Sequence, residues 1–473
     1  MPRHPHGLLR AAGPLASLLA AAGIAIIITP RPLAQSDGTA PWLAPYVEPS
    51  RLLIREAYAD DFGWRRLAEL TDTFGHRFSG SAALEDAIRW AADQMRADGL
   101  DLVRLDPVLV PRWVRGAERA AIVEPAAQAL PMLGLGGSVA TPPGGLEAAV
   151  LVVRNFDELE ARAGEARGRI VLFNAPFTTY NETVQYRTAG PAYAARLGAV
   201  GALVRSIGPT GQRTPHTGAT TFPPRVPRIP AAAISAEDAN RLQRLQDRGV
   251  PIVVRLEMEA HALPDSVSHN LVAELRGQER PEEVVVVGCH IDSWDVGTGA
   301  SDDGGGCVAA WEAVRLIGQT GLRPRRSIRL VLFTNEENGL RGARAYRDRY
   351  LATLDDHVLM LEADIGLFPP LSFGFTGSPG ARIRVSAVAA LVRDLGVSHV
   401  GPSGGGADIA PSVRAAGIPS MSLEGDDTRF FAIHHTEADT VDKIAPEDVS
   451  RAAAAIAVMA YVIADMPARL DQD

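Results

Sequence analysis

The sequence predicts an α/β fold: a mixed central sheet with flanking helices, interrupted by an inserted β-rich module. Three observations carry this. From Ser268 onward, continuous apolar runs at Val284–Val287, Ile328–Phe333 and Val358–Leu361 alternate with amphipathic stretches, the pattern of strands covered by helices on both faces. Residues 120–260 differ in texture, with short apolar runs at Ala149–Val153, Ile170–Phe173, Val200–Val204 and Ile252–Leu256 separated by Gly- and Pro-rich turns. Finally, 473 residues with 46% apolar and 22% charged content describe a multidomain globular chain, which excludes a disordered chain, a coiled coil or a polytopic membrane protein. The net charge of −9 leaves no basic surplus for a phosphate backbone, so nucleic acid is not an expected partner.

Taken in order, residues 1–35 read as an export signal. Arg3 and Arg10 precede an uncharged run from Ala11 to Thr29, with Ala34 as the small residue near its end. An uncleaved anchor is the alternative, because ~17–25 apolar residues span a bilayer. No other segment reads as membrane-spanning, so an exported protein is expected. Residues 36–119 form the N-terminal helical part. Leu52, Tyr58, Trp64, Leu67 and Leu70 recur at helical intervals, and Ser81 is a plausible N-cap for a helix through Ile88 and Met95. Within 120–260, Tyr193–Leu197 and Ala236–Leu245 read as helices and Ser206–Pro230 as a long loop. Residues 261–473 form the core domain. Its helices include Gly306–Ile317, with Cys307, Ala310, Val314 and Ile317 on one face, and a stretch from Pro446 through Val449, Ala453, Ile456 and Ile463. The only two cysteines, Cys289 and Cys307, read as small buried residues, without a disulfide framework.

The chemistry is concentrated at strand ends. His290-Ile291-Asp292 follows the first apolar run, Asp302-Asp303-Gly304 opens the Cys307 helix, and Glu336-Glu337 follows Phe333. Glu362-Ala363-Asp364 ends the third run, and His434-His435 lies beyond. In an open α/β sheet, ligands bind outside the carboxyl ends of the strands. Singly, each cluster would be a surface pair, a turn or a helix cap. Together, two histidines with three or more carboxylates form a ligand set for zinc or a similar cation. With one shared carboxylate the set suits two ions ~3.5–4 Å apart. Of two adjacent glutamates beyond a strand end, one can coordinate while the other acts as general base. Asp292 lies on the same side of an extended chain as His290 and is expected to orient its ring.

These motifs, in this order, resemble the M28 co-catalytic zinc peptidases. The resemblance covers nearly all of the chain after the signal, with Arg77-Phe78-Ser79-Gly80-Ser81 similar to the family's N-terminal signature and residues 120–260 similar to an inserted protease-associated domain. It implies two zinc ions: His290 and Asp364 holding one, Glu337 and His435 the other, and Asp302 bridging both. Glu336 would be the general base. The peptide after the bridging aspartate, here Asp302–Asp303, would be strained and could be cis. Some members place an oxyanion-stabilising tyrosine between the fourth and fifth motifs, but no tyrosine occurs from Leu351 to Ala460, leaving the metals, a backbone N–H or His434 as candidates. Asp408, in a Gly-rich loop, is a candidate for a substrate's α-amino group or for a helix cap. The implied activity is hydrolysis of dipeptides or removal of N-terminal residues from short peptides. Rival readings are a single-zinc glutaminyl cyclase and a non-catalytic receptor or binding protein on the same scaffold. The insertion is left with two roles, restricting access to short peptides or forming a homodimer.

Overall fold

The computed structural model describes residues 40–470; the export-signal expectation for residues 1–35 lies outside them. Two eight-stranded mixed sheets organise the chain. In the first sheet the spatial order is Leu102–Val114, His261–Leu275, Arg326–Phe333, Arg280–His290, His357–Glu362, Ser420–Glu424, Ser372–Thr376 and Val400–Gly401. Its centre is parallel: the His290 strand lies between the Phe333 and Glu362 strands, and the Glu362 strand pairs in parallel with Ser420–Glu424. The carboxyl ends of these central strands therefore emerge on one edge.

The valine run shows why the sheet is covered twice. Val285 and Val287 pack with the helices Ala82–Ala97, Gly305–Gln319 and Pro446–Asp465, whereas Val284 and Val286 pack with Tyr346, Leu354 and Ile409 on the other face. Alternate residues of a strand point to opposite faces, so a continuous apolar run is what such a strand requires.

Two expectations need correction. The segment 36–119 is not helical throughout: Leu102–Val114 is a thirteen-residue strand paired antiparallel with His261–Leu275. Pro107 and Pro111 obscure it, yet both are tolerated because this strand is the sheet edge, and the register slips between Val110 and Arg112. Second, Cys289 and Cys307 are buried as expected but form a disulfide, Cα–Cα 5.1 Å, joining the His290 strand to the helix Gly305–Gln319. Eighteen residues of sequence separation gave no sign that strand and helix would place them side by side.

The second sheet is built from strands between Glu118 and Met258, with Leu146–Val153, Ile170–Phe173, Gly201–Arg205 and Ala231–Ile234 parallel at its centre. The helix Ala236–Asp247 is capped by Ser235 and contributes Ala239, Leu242 and Leu245 to one core layer. The stretch 206–230 contains no helix or named strand. Among the described residues, no helix is long and apolar enough to cross a membrane.

Candidate metal centre

The two carboxylate oxygens of Asp302 face different partners. Oδ1 lies 3.2 Å from His290 Nε2, which is 3.8 Å from Asp364 Oδ1. Oδ2 lies 3.1 Å from His435 Nε2, which is 3.1 Å from Glu337 Oε2. The result is two His–carboxylate sets meeting at one shared carboxylate. Asp302 Oδ2 and Glu337 Oε1 are buried without hydrogen-bond partners. Desolvated anionic oxygens facing imidazole nitrogens are costly unless a cation satisfies them, so these residues fit a pair of divalent ions with N/O preference.

Each group is fixed by its own surroundings. The Asp302–Asp303 peptide is cis, and the backbone N–H groups of Ser301 and Asp302 donate to the two oxygens of Asp439 at 2.7 and 3.1 Å. His290 Nδ1 is 3.0 Å from the Asp292 carbonyl oxygen, leaving Nε2 toward Asp302. Asp292 thus orients His290 through its backbone, not its carboxylate. The carboxylate instead accepts from the N–H groups of Glu336 (3.1 Å) and Glu337 (3.3 Å) and from Ser79 Oγ (3.1 Å). Asn335, at positive φ, turns the chain there and donates to the same Ser79 oxygen. Arg77 is fully buried, and its guanidinium donates to the carbonyls of Gly75, Ile291, Thr298 and Gly299, bracing the loop between the first two clusters.

His435 adopts φ +61°, sparsely populated for a non-glycine residue, and its ring stacks on His434 with centroids 3.5 Å apart. His434 Nε2 also approaches Asp302 Oδ2, at 3.4 Å. The second ring nitrogens separate the two. His435 Nδ1 lies 3.2 Å from the Thr217 carbonyl oxygen, whereas His434 Nδ1 has no partner. An anchored second nitrogen is the usual arrangement for a metal-ligating histidine, which favours His435.

Burial pushes Glu336 well above the ordinary carboxyl range, with Glu337, Asp364 and Asp292 adding to the effect and His290 opposing it. Burial and the Asp302 charge likewise raise Glu337 to about 7, although His435 opposes them. Burial alone would lower His435, but Glu337 and Asp302 outweigh it and hold the ring at about 9. His434 is carried well below its ordinary value by burial and by the adjacent His435.

A cavity of about 890 Å³ opens over the cluster, within the ~300–1,000 Å³ range of small-ligand sites. His290, Asp302, Glu336, Glu337, Asp364, His434 and His435 all line it. Asp408 does not. Gly405, Gly406 and Ala407 form the wall, while the Asp408 carboxylate is buried without a partner and caps no helix. Two nearby arginines stay off the cavity wall: Arg344 donates to the Gly339 carbonyl, and Arg429 lies over Phe368 and faces Asp448.

Sequence reasoning missed the part that residues 180–217 play in this site. Arg187 Nη1 donates to the Thr217 carbonyl at 3.1 Å and touches His435 Nδ1 at 3.3 Å, while Nη2 donates to Tyr180 Oη at 2.6 Å. Thr217 N–H donates in turn to the His435 carbonyl at 2.9 Å. No spacing rule connects residues some 220 positions apart.

The fold and the strand-end cluster define a metallopeptidase, and residues 270–460 match peptidase family M28. The chain belongs to this family and is a metallo-exopeptidase. Carboxypeptidase Q of Mus musculus is 44% identical over 427 residues, 90% of this chain and 91% of its own length. The Homo sapiens protein of the same name is 45% identical over 408 residues, 86% of each chain. Among solved structures, a peptidase M28 precursor from Shewanella amazonensis has a TM-score of 0.87 at 34% identity, covering 90% of this chain and 98% of that one. A zinc aminopeptidase from Bacillus subtilis shares the fold at a TM-score of 0.63 and 21% identity, covering 86% and 96%.

Proposed function

We propose that the chain is an exported di-zinc exopeptidase that hydrolyses dipeptides or releases N-terminal residues from short peptides. The division of the Asp302 oxygens between two His–carboxylate sets carries this reading, since a single-zinc cyclase has no use for a second complete set. Zinc at these positions would polarise the scissile carbonyl and acidify the attacking water. Glu336 takes the water proton. Its N–H is pinned to Asp292, its carboxylate accepts no hydrogen bond among the described residues, and it lines the cavity. The same carboxyl then returns the proton to the departing amine. A complete candidate ligand set also argues against a non-catalytic receptor.

The name carboxypeptidase Q describes cleavage at a C-terminal residue, whereas the resemblance noted in the sequence implies N-terminal removal. A dipeptide reconciles the two, because its one peptide bond is both. Export rests on residues 1–35. The test is a panel of free dipeptides, N-acylated dipeptides and longer peptides, assayed with and without a chelator. Free dipeptides should be preferred and the chelator should abolish turnover. Equal rates on N-blocked substrates would refute the free-amine requirement, and chelator-resistant turnover would refute the metal.

A further inference from the structure

We infer that the insertion supplies a catalytic group to the site: the Tyr180 hydroxyl donates a hydrogen bond to the oxyanion formed at the scissile carbonyl, and Arg187 is its positioning residue. The inference rests on the exopeptidase reading above. The need is general, since attack of water on an amide moves the carbonyl π pair onto oxygen, and a pre-aimed donor there stabilises the charge. The candidates weighed from sequence include His434, whose Nε2 is turned toward Asp302 at 3.4 Å.

Tyr180 packs beside His434 with a hydroxyl that faces no carboxylate among the described residues. Its ring stacks on Phe431, with centroids 5.1 Å apart and planes 14° apart, and meets His434 edge-on at 5.3 Å. It lines the same cavity as Glu336 and His435. Its oxygen accepts from Arg187 Nη2 at 2.6 Å, and among the described residues its own O–H has no acceptor. A phenol that accepts from a guanidinium becomes a stronger donor, because successive hydrogen bonds polarise one another.

Arg187 is held for this task. It is buried, Nη1 is anchored on the Thr217 carbonyl, and it lies where a Cβ on Gly218 would collide with it. Gly218 itself has φ +138°, so the close approach and the backbone both call for glycine.

In the reaction, the water oxygen–carbon bond forms and Glu336 takes the proton. The carbonyl pair becomes the oxyanion that Tyr180 contacts without giving up its own proton. Collapse then breaks the C–N bond, the pair leaves with nitrogen, and Glu336 protonates it.

Tyr180→Phe keeps the ring and its stack and removes only the donor. It should lower kcat on a free dipeptide by about 10²-fold, in the range seen for single oxyanion donors, with KM and zinc content unchanged. Calorimetric affinity for a phosphinic pseudodipeptide, which carries the tetrahedral oxygens, should fall with kcat. Arg187→Met also removes contacts to His435 and to the Thr217 carbonyl, so zinc is measured alongside: at parental zinc content it should lower kcat in the parent but add little in the Tyr180→Phe background. A Tyr180→Phe kcat within about threefold of the parent overturns the inference while leaving the exopeptidase reading standing. A parent protein that hydrolyses no dipeptide at all brings down both.

Discussion

Of the two sheets, one ends its central strands in a cluster of carboxylates and histidines, whereas the other ends them in amides, hydroxyls and arginines without a single carboxylate or histidine. His290, Glu336, Glu337, Glu362 and Asp364 follow or end strands of the first sheet. At the corresponding edge of the second sheet, Arg154 follows Val153, Asn174 follows Phe173, Arg205 ends its strand just before Ser206, and Ser235 follows Ile234. The polar groups there pair with one another, as Arg205 does in donating to Asn174 Oδ1 at 3.4 Å. Ser206 Oγ donates to the Ile234 carbonyl at 2.8 Å, and Ser235 caps a helix. In the first sheet, several buried carboxylate oxygens are left without partners. Similar α/β layering therefore supports either a stable wall or a reactive cluster, depending on a few residues beyond the strand ends.

This contrast can be broken most severely at Asp302. Asp302→Asn should lower bound zinc, read by elemental analysis, and reduce turnover to background, because it weakens the carboxylate shared by both sets. Full zinc content in this variant would remove Asp302 as the bridge. Next in size is Glu336→Gln, which should keep its zinc yet lose ~10²–10⁴-fold in kcat. Near-normal turnover would sink its role as base. Asp292→Asn should cost about 10–100-fold in activity or zinc affinity, the usual range for residues supporting ligands, since it weakens the anchor of both Glu336 and Glu337.

The second sheet should behave differently. Leu203 is fully buried in its core, and Leu203→Ala should cost about 2–5 kcal/mol of stability by chemical denaturation. Below its unfolding transition, kcat and zinc content should match the parent. A parallel fall in kcat would show that the whole core of the second sheet, and not only the Tyr180–Arg187 wall, tunes the site. The smallest effect is a titration. Denatured, unreduced protein should show no free thiol, and two free thiols would exclude the Cys289–Cys307 bond.

Much of the site was legible because its chemistry is local. His290-x-Asp292, Asp302-Asp303-Gly304, Glu336-Glu337 and His434-His435 stand next to apolar runs whose strand period is visible in the residues themselves. Nothing local marks Asp439 as the acceptor that holds the Ser301 and Asp302 N–H groups, because the two segments are 137–138 residues apart. Asp408 was misjudged, since a Gly-rich loop does not reveal which of its residues faces the cavity and which turns into the wall.

The sequence by itself determined the sheet type, the order of the candidate metal-binding clusters and the change of texture over residues 120–260, because hydrophobic period and strand-end chemistry are written in neighbouring residues. Tertiary structure alone decided three things. It split the Asp302 oxygens between two partners, it paired Cys289 with Cys307, and it brought Tyr180, Arg187 and Thr217 against His434 and His435. Each joins groups far apart in the chain, where no local propensity acts and only the packing of the insertion loops and strand ends sets the distance.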